Sequence, residues 1–265
     1  MKDERKGNLT ISEEPLTKFL GCNVIVEPGS ISITNELLIK RFIDEFSHVN
    51  LTEGRHFTNI RSPLPCKFKV DDEEPIVDHQ TSEYQIYPAK FIGFVSYLSA
   101  SARPDLRFAL HELGKHAKGF TKSDERACVH LLKYLKATEK LGLTYHKDYV
   151  MPNKITAFSD ASLIGGKAVC ASVVLLNGAA IHWDIKKVNS TLKAVSQAEL
   201  IALQETVDHV VYFRALMCEF GFSQSQFSTP ILVDSQISIA NIMKESKGKS
   251  GPDTNVAIKR IKERV

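Results

Sequence analysis

No run of about 18 apolar residues occurs in the chain, so the sequence does not support a membrane-spanning helix. The first ten residues, MKDERKGNLT, are charged and no apolar stretch follows them, which speaks against a signal peptide. Both absences point to a soluble, intracellular protein. Cys22, Cys66, Cys128, Cys170 and Cys218 contain no CxxC pair, and five is an odd number. Reduced, mostly packed thiols fit this better than a disulfide framework or a zinc site. The excess of one charge over the other is also small: the net charge is +3, too small to argue for nucleic acid by its sum. Neither an internal repeat nor a low-complexity tract is visible. What remains is 265 residues, 43% apolar and 25% charged, enough for a sizeable core in one or two domains.

Hydrophobic periodicity organises the chain. From Leu16 to Phe46 two apolar runs flank Pro28 and Gly29, and Leu37, Leu38, Phe42 and Phe46 then recur at helical spacing, which predicts a β-hairpin and a helix. Residues 48–88 are polar and dotted with proline, and predict an extended connector with little packed structure and no helix. Three helical segments follow before Gly142: one around Phe91, Val95 and Leu98, one opened by Pro104, and one from Ser123 through Leu135. After a turn-like stretch, Ile155–Asp160, Ala168–Leu176 and Ala180–Trp183 read as strands, the second ended by the hairpin signal Asn177-Gly178. A long helix from Ser196 to about Phe220 comes next, then a short buried strand at Pro230–Asp234. A helix through Ile237, Ala240, Ile242 and Met243 and another from Thr254 to the end complete the order. This is an α/β order in which antiparallel strands are extended by a parallel one through a crossover.

Three acidic residues fall where this topology can bring them together: Asp160 at the end of a central strand, Glu199 on the first turn of the following helix, and Asp234 at the end of the next strand. Mg²⁺ favours oxygen ligands, and two ions about 4 Å apart can activate water and stabilise a leaving oxygen in phosphodiester cleavage. Each residue also has a structural explanation. Asp160 can punctuate a strand end, Glu199 completes the capping-box pattern of Ser196-Gln-Ala-Glu199, and Asp234 can cap the next helix. His146, His182 and His209 show no metal-ligand spacing, and Trp183 reads as structural. Lys186 and Lys187 can touch a phosphate backbone or form a solvated pair. The basic tail, with Lys259 and Lys262, is either a substrate handle or an ordinary solvated face.

The residues from Ala102 to Leu110, Leu131 to Thr138 and Leu141 to Tyr145 resemble the copia-type retrotransposon Pol region that links reverse transcriptase to ribonuclease H. Phe158–Ser162, Ile181–Trp183 with Lys186 and Lys187, Ser196–Leu203 and Val233–Ala240 are similar to that family's ribonuclease H blocks. Lys18–Val24 resembles a segment near the end of its reverse transcriptase. The resemblance covers nearly the whole chain, weakly within 48–85. It implies an α/β ribonuclease H-like mixed sheet with helices, preceded by a small α+β or helical thumb and connection region.

The implied layout is a reverse transcriptase C-terminal piece at 1–60, an extended connector at 61–87, a helical thumb or connection at 88–150, and a ribonuclease H-like domain at 154–265 lacking its last strand and helix. It also implies that Asp160, Glu199 and Asp234 are catalytic metal ligands for two Mg²⁺, one site incomplete for want of a fourth acid. Asp253 is not that acid's equivalent, and Ser162 replaces a second aspartate that is not a ligand. No Tyr-x-Asp-Asp polymerase motif is present.

The expected function is hydrolysis of the RNA strand of RNA/DNA hybrids, impaired in this chain. The expected partners are the hybrid and the upstream reverse transcriptase palm and fingers, in the cytoplasm, within a virus-like particle for an intact element, or in the nucleus. The alternative is a non-catalytic remnant that binds nucleic acid or a partner. A polynucleotidyl transferase or exonuclease of the wider superfamily is a third reading, which the matching blocks disfavour.

Overall fold

The computed structural model describes residues 16–49, 51, 60–66, 68, 73–147, 153–164, 167–192, 194–224, 228–235 and 239–240, with the backbone alone at 164 and 189–191. The expected helix from Thr254, Lys259 and Lys262 lie outside these residues. So does most of the helix expected through Ile237, Ile242 and Met243; Ile239 and Ala240 are helical.

In the N-terminal half, β2 (Cys22–Glu27) and β3 (Ser30–Thr34) pair antiparallel around Pro28 and Gly29. A two-residue strand, β1 (Lys18–Phe19), adds to β2. Helix α1 (Glu36–Glu45) buries Ile39 and Phe42, with Phe46 one turn further along the same stripe. Helices α2 (Pro88–Ser101), α3 (Arg107–Leu113) and α4 (Lys122–Ala137) share that core through Phe91, Val95, Leu98, Leu113, Leu131, Leu132 and Leu135. Pro88 sits at the first turn of α2 and Pro104 opens a 3₁₀ turn before α3, where a missing N–H costs no helical bond.

A strand that periodicity does not announce, β4 (Gly142–His146), pairs with β3, so the sheet order is β1-β2-β3-β4. Gly142 is required there because a Cβ would collide with the Ile33 carbonyl oxygen. Hairpin, α1, α2 to α4 and β4 therefore form one packed body. The expected looseness of 48–88 is corrected. No helix or strand occurs among its described residues up to Tyr87, yet Leu51, Leu64 and Ile86 are buried in the same core. Val77 N–H also donates to Phe120 O at 2.9 Å. Apolar residues spaced this irregularly leave no periodic trace, although they pack.

Arg103 is the largest fully buried side chain among the described residues. Its Nε and Nη2 donate to Asp105 at 3.0 and 2.8 Å, and Nη1 and Nη2 donate to the backbone and hydroxyl oxygens of Thr138 at 3.1 and 2.8 Å. Tyr134 lies under the guanidinium, 5.5 Å from ring centroid to Cζ, and donates its hydroxyl to Asp105 at 2.9 Å. Such a pair, fully hydrogen-bonded, ties the α2–α3 corner to the end of α4.

The C-terminal half is a second sheet, ordered β7-β6-β5-β8: β5 (Ile155–Ile164), β6 (Lys167–Leu176), β7 (Ala179–Thr191) and β8 (Ile231–Leu232). β6 is antiparallel to both β5 and β7, while β8 runs parallel to β5, the return of a crossover through α5 (Val195–Glu219). Asn177 (φ 49°) and Gly178 (φ 86°) supply the two positive φ angles of the tight β6–β7 turn. The mixed α/β sheet with a helix across it has the expected architecture. Ile155, Ala157 and Val174 face α5 and pack with Val210 and Met217. The opposite parity, Phe158, Asp160 and Ser162, points away and is exposed.

Edge strand β7 leans on the N-terminal body. Trp183 Nε1 donates to Ser99 O at 2.6 Å, and Arg107 pairs with Asp184 at 2.8 Å. Tyr145 Oη donates to Ala180 O at 2.7 Å. Trp183 thus has the structural role expected, against α2.

Replacing Arg103 with Met should cost about 3 kcal/mol, because the Asp105 carboxylate and the Thr138 oxygens lose their donors. Urea unfolding checks this; a loss under about 1 kcal/mol would show that the network does not hold the corner.

Candidate metal centre

Asp160 is the sixth residue of β5 rather than its last, since the strand continues to Ile164. β8 pairs with β5 only at Ala157 and Phe158, so on this side β5 has no ladder partner at Asp160. Continuing that parallel register brings Asp234, two residues beyond β8, alongside it. Glu199 sits in the second turn of α5, buried at 8% exposure. One carboxylate oxygen from each of Asp160, Glu199 and Asp234 lies within 4.8 Å of the other two. Asp160 and Asp234 are exposed and Glu199 is buried, so the cluster opens to one side.

The capping-box explanation of Glu199 does not hold. Helix α5 starts at Val195 with Ala194 as its N-cap and no side-chain cap bond, which moves Glu199 past the position from which it could reach back. The capping box that does form is Thr121 with Asp124, at the start of α4. Asp124 Oδ2 there accepts from Thr121 N at 2.9 Å and lies 2.6 Å from His116 Nδ1. Residues 236–238, which Asp234 would cap, lie outside the described residues.

Burial holds the Glu199 carboxyl up at about 7, with Asp234 and then Asp160 adding like-charge repulsion. An all-oxygen set of this kind suits a hard divalent cation. The three carboxylate oxygens are close enough together to hold such a cation. Beside the carboxylates the exposed sheet face forms a groove of about 390 Å³ lined by Phe158, Ala171, Val173 and Leu232.

The two lysines expected to meet nucleic acid have different surroundings. Lys186 Nζ pairs with Glu205 of α5 at 2.8 Å. Lys187 is exposed. His182 and His209, whose ring centroids are 4.0 Å apart, lie between β7 and α5, and His209 Nδ1 is 3.3 Å from Ser172 Oγ. Their packing role matches the sequence reading. His146 ends β4 and is exposed.

A mixed α/β sheet carrying three converging carboxylates defines a candidate divalent-metal centre. Among curated proteins the chain is similar to Pol polyproteins of retrotransposons. The Pol polyprotein from transposon RE1 of Arabidopsis thaliana is 24% identical over 212 residues, 78% of this chain and 14% of that protein. The polyprotein from transposon TNT 1-94 of Nicotiana tabacum is 22% identical over 247 residues, 88% of this chain and 18% of its own length. The chain therefore spans less than a fifth of the length of these relatives. Secreted RxLR effector protein 161 of Plasmopara viticola is 26% identical over 125 residues, 46% of this chain and 87% of the effector. No family model matches. Among solved structures, an RNase H1 isolated from compost overlaps 42% of this chain and 74% of its own, at 18% identity and a TM-score of 0.34, a slight overlap.

The raised Glu199 pKa has a stability consequence. The folded state favours the neutral acid, so its contribution is full below the ordinary value of 4.5 and is lost as pH rises through about 7. The metal-free protein should lose up to about 3 kcal/mol across that window. Glu199→Gln should flatten this part of the curve; an unchanged profile would place the titration elsewhere.

Proposed function

We propose that this chain is a copia-type reverse transcriptase–ribonuclease H segment whose C-terminal sheet hydrolyses the RNA strand of RNA/DNA hybrids with Mg²⁺. The observation that carries this reading is the convergence of Asp160, Glu199 and Asp234 from β5, α5 and the end of β8. Asp160 and Asp234 face the open side, where a phosphodiester can approach; Glu199 closes the buried side. Bound Mg²⁺ would supply Lewis acidity and lower the pKa of a water. The protein's own part is to fix three oxygens in place. Their repulsion makes the site ready for a cation before substrate arrives.

Three carboxylates converge among the described residues and would hold the ion. The hybrid's 2′-hydroxyls provide the means of telling RNA from DNA. The upstream palm and fingers of the same polyprotein are the proposed partners of the N-terminal body, and the cytoplasm the proposed site of action. Among the described residues no helix is long and apolar enough to cross a membrane.

The effector relative is matched over 87% of its length, so a segment of this kind occurs outside a polyprotein; the second reading is a non-catalytic module that binds nucleic acid or a partner. Its signature is hybrid binding without turnover, insensitive to Glu199→Gln.

A cleavage assay on a labelled RNA/DNA hybrid with and without Mg²⁺ separates the two. The nuclease reading expects metal-dependent cleavage that Asp160→Asn lowers by at least about 100-fold, since a lost ligand removes several kcal/mol of charge stabilisation. Binding with no cleavage at any Mg²⁺ concentration would favour the module.

A further inference from the structure

Strand alternation in the second sheet assigns sides to residues that the sequence leaves equivalent. Cross-strand pairing sets three rows across the sheet: Phe158, Val173 and Trp183; Asp160, Ala171 and Ile185; Ser162, Val169 and Lys187. Residues paired in this way share a face, and here it is the face turned away from α5. The parity is checked from the other side, where His182 meets His209 of α5 and Lys186 meets Glu205 of α5. Lys186 is thus held on the covered face, and Lys187 belongs to the face that carries Asp160.

On that face the carboxylate row has unlike neighbours. One side is apolar and ends at Trp183, which is capped by α2 through Ser99. The other side is mixed, Ser162 and Val169, and ends at Lys187. Two strand spacings separate the Lys187 column from the Asp160 column, about 10 Å, so the flexible ammonium meets a phosphate neighbouring the one at the metals. Helix α3 stands at the β7 edge and joins it through the Arg107–Asp184 pair, Asp184 having the parity of the α5 side. Its His111, four residues after Arg107 and four before Lys115, has Nε2 buried without a hydrogen-bond partner. Burial lowers the His111 pKa; Glu112 opposes this, and the positive charges of Lys115, Lys187 and Arg107 add to it. Arg107 and Lys115 are each paired with an acid, Asp184 and Glu112, so the cation that the outer face offers to a polyanion leaving the carboxylates is the exposed Lys187.

We infer that Lys187, and not its neighbour Lys186, contacts the phosphate backbone of the bound hybrid, which crosses the outer sheet face from Asp160 towards α3. The assignment rests on the hybrid-cleaving reading for the identity of the polyanion. Lys186 instead fixes α5 to β7 through Glu205.

The test compares Lys187→Gln, Lys187→Arg and Lys186→Gln in the full chain by binding of a synthetic RNA/DNA hybrid between 50 and 200 mM salt, in EDTA so that no cleavage occurs. Each phosphate contact accounts for about 0.9 of the slope of log affinity against log salt, or about 3.5-fold over this range. Lys187→Gln should lower the slope by about that amount, Lys187→Arg should keep it, and Lys186→Gln should leave it at the wild-type value. An unchanged slope in Lys187→Gln, an equal fall in Lys186→Gln, or no hybrid binding by the wild type would overturn the assignment. Cleavage in Mg²⁺ is scored separately. Binding with the predicted lysine pattern but no cleavage sinks the nuclease reading alone, and cleavage with an indifferent Lys187 sinks this inference alone.

Discussion

The contact between α5 and one face of the β7-β6-β5-β8 sheet is the constraint on which the site depends. Ile155, Ala157 and Val174 turn inward to meet Val210 and Met217, and a period of two then forces Phe158, Asp160 and Ser162 outward. The same packing carries Glu199, on the second turn of α5, to the edge of β5 that β8 leaves unpaired. The crossover ending in β8 delivers Asp234 to that edge. A one-residue slip of β5 would turn Asp160 into the core and dissolve the cluster, so burial of apolar side chains and placement of carboxylates are one requirement.

The electrostatics follow from this geometry. Burial first, and then the nearby charges of Asp234 and Asp160, make Glu199 hold its proton to about 7. A divalent cation would offset the same charges. The N-terminal body bears on the sheet from the opposite edge. Through Trp183, Tyr145 and Arg107 it holds β7 at Ala180, Trp183 and Asp184 and leaves open the part of the outer face that carries Asp160 and Lys187. The buried Arg103 network holds the α2–α3 corner that makes two of those contacts.

Much of this was legible in the sequence because it is local. Asn177-Gly178 names its own turn, the apolar stripe of α5 has helical period, and the strands of the second sheet are bounded by turn residues. The acidic residues were legible as a set through their order along strand, helix and strand. What escaped depends on partners remote in sequence. Gly142–His146 becomes a strand only because β3 offers an edge more than a hundred residues earlier. Leu64 and Ile86 are buried by helices that periodicity cannot associate with them. Ser196 and Glu199 have capping-box spacing, but the helix begins at Val195, whereas Thr121 and Asp124 form the box with an aspartate where the usual pattern has Glu or Gln. Lys186 and Lys187 are indistinguishable until the sheet register assigns them to opposite faces.

The central claim is that Asp160, Glu199 and Asp234 form one divalent-cation site. Titration of the full chain with Mn²⁺, with the free ion followed by electron paramagnetic resonance, tests it without reference to any substrate. The account predicts saturable binding, displaced by Mg²⁺, that falls at least about tenfold in Asp160→Asn and in Asp234→Asn while both variants stay folded. Binding that is not saturable, or that is as tight in both variants as in the wild type, would contradict it.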